Sequence, residues 1–153
     1  MRPKWVDQNS AWLKHIPFAF FAVGAIRPQL IVELGVWTGT SFLSFCQAVK
    51  ELGLRSFVYG VDTFKGDSSM GNYKPTFLSE LESYIDSNYL FATLLKMEFD
   101  EAISFFNKST IDILHIDGTH DYESVKHDFE TWLPYISNRG IIIMHDTQVE
   151  HFG

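Results

Sequence analysis

The sequence predicts an α/β domain built on a doubly wound parallel sheet. Short apolar runs of strand length alternate with amphipathic stretches of helix length. The strand ends carry glycines and acidic residues rather than more apolar ones. No repeat, low-complexity tract or linker interrupts the alternation. Taken in order, Asn9 or Ser10 caps a first helix running to about Ile16. Pro17 suits the first turn of a second helix ending near Ala25, and Arg27-Pro28 stops it. Residues 30–34 (L-I-V-E-L) read as a buried strand, 40–52 as a helix closed by Gly53, and 57–61 as a second strand. The polar, Gly-containing stretch 65–74 reads as a loop. Within 75–89, Phe77, Leu81, Tyr84 and Ile85 recur at helical spacing. A third strand follows at 92–97, a short helix at 100–106 and a fourth strand at 111–116. In 122–133, Val125, Phe129, Trp132 and Leu133 form an apolar stripe. Pro134 and Gly140 frame a turn before a fifth strand at 141–144.

Composition bounds the function. The chain has 153 residues, 46% hydrophobic and 16% aromatic, with a formal net charge of −7. That is one domain with a real core, and too apolar to be disordered. The acidic balance argues against nucleic-acid or anionic-membrane partners, although it leaves room for a local basic patch. The single cysteine, Cys46, permits neither an internal disulfide nor a Cys-based zinc site, and its apolar surroundings predict burial. The longest apolar run, 16–26, is interrupted by Pro17 and Gly24 and is too short to span a bilayer. No basic-then-apolar leader precedes it, so a soluble cytoplasmic protein is expected.

Doubly wound sheets bind ligands beyond the carboxyl ends of their strands. The first strand runs into Glu33-Leu34-Gly35-Val36-Trp37-Thr38-Gly39-Thr40. Gly35 and Gly39 allow a tight turn and close approach of a ligand to the backbone. The spacing G-x-x-x-G lacks the pyrophosphate-cradling pattern, and Glu33 would repel a diphosphate while attracting an ammonium or hydroxyl. The second strand ends at Asp62, followed by Thr63 and Phe64. An acid there suits a ribose diol, and its place 23 residues after Gly39 is near the usual spacing of about 20. Phe64 would either pack on that ligand or cover the core. The fourth strand runs into Asp117-Gly118-Thr119-His120-Asp121, and the fifth into His145-Asp146-Thr147. Asp117, His145 and Asp146 would share one rim, where they form either a divalent-cation site or a hydrogen-bonded polar rim with Thr119 or Asp121 capping a helix. His115 and His15 read as core residues, and His127 as solvated on the polar side of its helix.

These motifs together resemble class I S-adenosylmethionine-dependent methyltransferases. The resemblance is closest to a branch associated with glycan and natural-product tailoring, methyltransferase domain family 24. Besides E-L-G-x-x-x-G it is carried by H-I-P-F-A-F near the start, V-D-T-F-K-G-D at 61–67, F-D-E-A at 99–102, L-H-I-D-G-x-H-x-Y-E at 114–123, D-F-E-x-W-L-P at 128–134 and H-D-T at 145–147. It implies a Rossmann-like sheet in the order 3-2-1-4-5. It also implies that Glu33, with the 35–39 turn (Gly35, Trp37, Gly39) and Thr40, holds the methionine end and its ammonium. Asp62 would take the ribose hydroxyls with Thr63 and Phe64 beside them, Phe99 and Asp100 would border the adenine, and Asp117 would lie below the sulfonium. A more distant similarity to catechol-type metal-dependent O-methyltransferases implies Mg²⁺ or another divalent cation at Asp117, His145 and Asp146. In those enzymes a lysine lies three residues after the metal aspartate and removes the acceptor proton; His120 occupies that position here.

The expected function is methyl transfer from S-adenosylmethionine to a hydroxyl of a sugar or natural product, with Asp117 and His120 as catalytic residues. A nicotinamide-dependent oxidoreductase, a metal-dependent hydrolase and a non-catalytic cofactor-binding or assembly module are the alternatives. The expected partners are a small-molecule or glycan acceptor, with no nucleic acid and no membrane span. Because an apolar fifth strand at a sheet edge is normally covered, the sequence also predicts a truncated form, a homo-oligomer, or a partner chain over that edge.

Overall fold

The computed structural model describes residues 3–66, 73–119 and 121–145. Its sheet is parallel and five-stranded, in the order β3-β2-β1-β4-β5. The strands are β1 (Leu30–Leu34), β2 (Phe57–Asp62), β3 (Ala92–Lys96), β4 (Ile111–Ile116) and β5 (Ile136–Met144). The helices are α1 (Ile16–Ile26), α2 (Thr40–Glu51), α3 (Phe77–Asn88), α4 (Phe99–Ala102) and α5 (Tyr122–Trp132). A 3₁₀ turn over Ala11–His15 precedes α1, with the Ser10 hydroxyl accepting from the Trp12 amide at 3.2 Å.

Alternation along the strands splits the core into two layers. Ile31, Val58 and Ile113 pack with α1, α2 and α3 through Ala19, Val23, Phe42, Phe45, Cys46 and Leu81. Val32, Leu34, Val61 and Leu114 pack with Ala102 and Trp132 from α4 and α5 on the other side. Cys46 is fully buried, and burial pushes its thiol well above the ordinary range, so it serves as core. Helix α1 ends at Arg27, which is left-handed (φ 48°) and returns its N–H to the Val23 carbonyl at 2.8 Å. The following proline disfavours continuation of the helix. Among the described residues no helix is long and apolar enough to cross a membrane.

Two expectations need correction here. Strand β5 begins at Ile136, five residues before the predicted start at 141, and Gly140 lies inside it. The pairing with β4 shifts register between Ile111 and Ile113, and a Cβ on Gly140 would stand 2.6 Å from the Ile111 carbonyl oxygen. The glycine thus marks a close strand approach rather than a turn. His15, read as core, is exposed at the end of its 3₁₀ turn; it is Trp12 that is buried there, 4% exposed. Strand β5 forms an edge in which Ile141, Ile142, Ile143 and Met144 are half-buried.

At the opposite end of the sheet from the strand carboxyl termini, Asp112 joins three segments. Its carboxylate accepts from the Gln29 amide (2.6 Å), the Ser137 hydroxyl (2.7 Å) and Arg139 (3.2 Å). Burial pushes this carboxyl up, but the bonds from Ser137, Gln29 and Arg139 outweigh it and hold the pKa below the ordinary 3.8. Its stabilisation is therefore present above the unfolded value and lost as pH falls through the lower folded value. Asp112→Asn is expected to cost about 1–3 kcal/mol at pH 7 and less at pH 3, as read by urea denaturation at both pH values.

Candidate functional site

A cleft opens at the carboxyl ends of the strands. It is lined by Gly35 and Trp37 after β1, Asp62, Thr63 and Gly66 at the end of β2, Tyr73, Glu98 and Phe99 near β3 and α3, and Asp117, Gly118 and Thr119 after β4. Of the residues expected from the sequence, Gly35, Trp37, Asp62, Thr63, Phe99 and Asp117 converge on this cleft. Gly66, Tyr73, Glu98, Gly118 and Thr119 also line it, and sequence reasoning did not assign them to it.

The Asp62 carboxylate organises the cleft floor. Its Oδ2 accepts from the Val36 amide (2.9 Å) and the Trp37 amide (3.0 Å), while Oδ1 accepts from the Phe64 amide (2.7 Å). Trp37 and Phe64 both adopt positive φ, 46° and 54°, a region that bulky residues seldom occupy. One carboxylate therefore secures two left-handed residues on two loops. Ionised, it has about four acceptor sites, so three amides leave capacity for one further donor.

Gly35 is required by two features. Its φ is 90°, and a Cβ there would overlap the Asp117 carbonyl oxygen. Its N–H donates to the Val61 carbonyl at 2.9 Å, and the Asp117 N–H donates to the Leu34 carbonyl at 2.8 Å. The ends of β1, β2 and β4 are thus tied together at the backbone. Gly118 serves a similar purpose, because a Cβ there would stand 2.8 Å from the Phe99 ring.

Aromatic rings build one wall. Tyr73 lies 4.8 Å from the Trp37 ring, 5.9 Å from Phe64 and 5.1 Å from Phe77 by ring centroids. Phe64 is 9% exposed, packs with the core and lies off the cleft lining. Trp5 joins the same group through Phe77 and donates its indole N–H to the Thr38 carbonyl at 3.2 Å.

The remaining expected residues stand off the cleft lining. Gly39 is the left-handed N-cap of α2, and Thr40 is buried with its hydroxyl accepting from the Asp7 amide at 3.1 Å. Glu33 is fully buried beneath the cleft; it accepts a hydrogen bond from the Ser41 hydroxyl and lies 3.3 Å from His115 Nδ1. Burial raises its pKa, and His115 and Ser41 oppose that rise. Asp100 pairs with His127 on α5 at 3.0 Å, both side chains being exposed. His127 is therefore solvated as expected, but also paired, and the hydrogen bond to Asp100 raises its pKa. Asp121 caps α5 by accepting from the Ser124 amide at 3.0 Å. His145 Nδ1 stands 3.2 Å from Asp117 Oδ1. His120 and Asp146 lie outside the described residues. Among the described residues no group of three or more His, Cys, Asp or Glu could hold a metal ion.

A parallel 3-2-1-4-5 sheet with its cleft at the switch between β1 and β4 is the fold of class I S-adenosylmethionine-dependent methyltransferases. Residues 32–147 match the family described as "Methyltransferase domain", methyltransferase domain family 24, and the chain belongs to that family. Over 152 residues it is 40% identical to an uncharacterised protein of Sinorhizobium fredii, covering 99% of this chain but 17% of that protein. Among solved structures, a Podospora anserina methyltransferase bound to S-adenosylhomocysteine superposes with a TM-score of 0.64 at 14% identity, over 86% of this chain and 51% of that one. A calicheamicin methyltransferase gives a TM-score of 0.67 at 18% identity, over 86% of this chain and 62% of that one. The chain thus spans a small part of the curated relative and little more than half of these solved structures.

Behind the cleft wall, Asp128 on α5 is 7% exposed and lies beside Gly118. Burial raises its pKa from 3.8 to about 6; the His127 charge opposes this and the Asp100 and Asp121 charges add to it. The folded state therefore binds this proton more tightly than the unfolded chain, and stability falls as pH rises from 3.8 towards 6. Asp128→Asn is expected to raise the melting temperature at pH 7.5 and to leave it nearly unchanged at pH 4, as read by thermal unfolding beside the parent protein.

Proposed function

We propose that this chain is the cofactor-binding and catalytic domain of an S-adenosylmethionine-dependent O-methyltransferase acting on a hydroxyl of a sugar or natural product. The observation that carries this reading is the Asp62-organised cleft within a chain of this family. The cofactor would supply an electrophilic methyl group on a sulfonium.

The chain's residues would bind and align. Gly35 lets the cleft floor close against the Asp117 backbone, where a Cβ would not fit. Asp62 has acceptor capacity left for a ribose hydroxyl. Trp37 and Tyr73 offer apolar ring surface, and Phe99 over Gly118 offers a face to the adenine. Asp117 presents negative charge at the cleft and favours a cationic sulfur nearby. Alignment of the acceptor oxygen with the methyl carbon would supply much of the rate. His120, which follows Thr119 of the cleft wall in the sequence, would take the proton of the acceptor hydroxyl as that oxygen receives the methyl group.

The acceptor class is supported by the family match and by the fold shared with a TDP-rhamnose 3′-O-methyltransferase of calicheamicin biosynthesis, 20% identical with a TM-score of 0.63. Asp117 and His145, 3.2 Å apart, would supply two of the three side chains for the divalent cation implied at Asp117, His145 and Asp146.

Asp62→Asn keeps the shape of the side chain but cannot accept all three amide bonds. It is expected to weaken S-adenosylhomocysteine binding about tenfold or more, measured by calorimetry; parent-like affinity would sink the ribose role. With an acceptor found from a panel of sugar nucleotides and phenols, His120→Ala is expected to lower kcat about 100-fold or more with little change in cofactor affinity. A change of only a few-fold would remove His120 as the base.

A further inference from the structure

Directly beneath the cleft, on the α1–α2 side of the sheet, lies a polar group that the proposed reaction does not use. Glu33 and His115 are cross-strand partners in the β1–β4 register, each 0% exposed. His115 Nδ1 stands 3.3 Å from Glu33 Oε1, the oxygen that also receives the Ser41 hydroxyl. The indole of Trp12 stands edge-on to His115 at 4.8 Å, with Phe45 at 5.7 Å, so the group is sealed from water. Glu33 Oε2 and both ring nitrogens of His115 make no directed hydrogen bond among the described residues.

Packing does not account for this arrangement. A buried acid–imidazole pair gives little stability over an apolar pair of similar volume, and every neighbouring position on these strands that faces the same layer is apolar, Ile31 and Ile113 among them. What distinguishes the two positions is where they sit. Glu33 is two residues before Gly35 and His115 two residues before Asp117, both cleft residues. Ser41 is in the first turn of α2, directly after the 35–39 turn. The pair therefore connects the end of β4 to the start of α2 across β1.

We propose that His115 is a positioning residue: it holds the Glu33 carboxylate against Ser41, and so sets the start of α2 where the amino-acid end of the cofactor is received. This rests on the cofactor reading above. Burial raises the Glu33 pKa, and the contacts from His115 and Ser41 oppose that rise without reversing it. Losing His115 would perturb the amino-acid end and leave the adenosine end, held by Asp62 at the end of β2, intact.

The test is calorimetry with two probes, S-adenosylhomocysteine and 5′-methylthioadenosine, which lacks the amino-acid portion. For His115→Phe the expected result is about tenfold or more weaker binding of S-adenosylhomocysteine, with 5′-methylthioadenosine within about twofold of the parent protein. His115→Asn, which offers Glu33 an amide donor at the same position, should recover part of the loss. Ser41→Ala should reproduce the selective loss, and decides the matter if His115→Phe does not fold. Parent-like binding of both probes, or equal loss of both, would overturn the proposal. A parent protein that binds neither probe would overturn the cofactor reading and this inference with it.

Discussion

The cleft depends on one carboxylate gripping the backbone of two loops. Asp62 takes the amides of Val36, Trp37 and Phe64, and two of those residues are held in a left-handed conformation without being glycine. Such conformations cost of order 1–3 kcal/mol each, and hydrogen bonds to a charged acceptor contribute about 1.5–3 kcal/mol each. The same interaction that offsets the strain thus also fixes the rings of Trp37 and Phe64 relative to each other, with Tyr73 packed on both. A ligand entering here meets a floor held in place by these bonds, and a pre-formed floor lowers the ordering cost of binding.

Around that floor the backbone approaches more closely than side chains would permit. Gly35 lies against the Asp117 carbonyl, Gly118 against the Phe99 ring, and Gly60 within β2 leaves room for Val36 and Phe42. These contacts draw the ends of β1, β2 and β4 together. Beneath them the acid–imidazole pair of Glu33 and His115 lies fully buried beside Ile31 and Ile113 of the same strands.

Much of this was legible in the chain. Strand and helix existence followed from apolar periodicity, and the convergence of Gly35, Asp62 and Asp117 followed from their places after successive strands of a parallel sheet. What could not be read depended on contacts between distant segments. Gly140 resembled a turn because its close neighbour is the Ile111 carbonyl, 29 positions away. His15 looked like core because its sequence neighbours are apolar, whereas the 3₁₀ turn directs Trp12 inward in its place. Tyr73 sat in a polar stretch with no periodic signal, and only the approach of Trp37 and Phe77 brings it to the cleft.

By itself the sequence determined the class of fold, the end of the sheet at which ligands bind, and the acidic residues present there. Those follow from local patterns: a period of two or of 3.6, a glycine where the chain must turn, an acid where a strand ends. Tertiary structure alone decided what each acid does. Asp62 faces the cleft while committing most of its acceptor sites to backbone amides, and Glu33, five residues from the Thr38 carbonyl that Trp5 reaches, lies sealed against Ser41 and His115. The physical reason is that a carboxylate's role is set by the donors and the solvent around it, and those are supplied by segments far away in the chain.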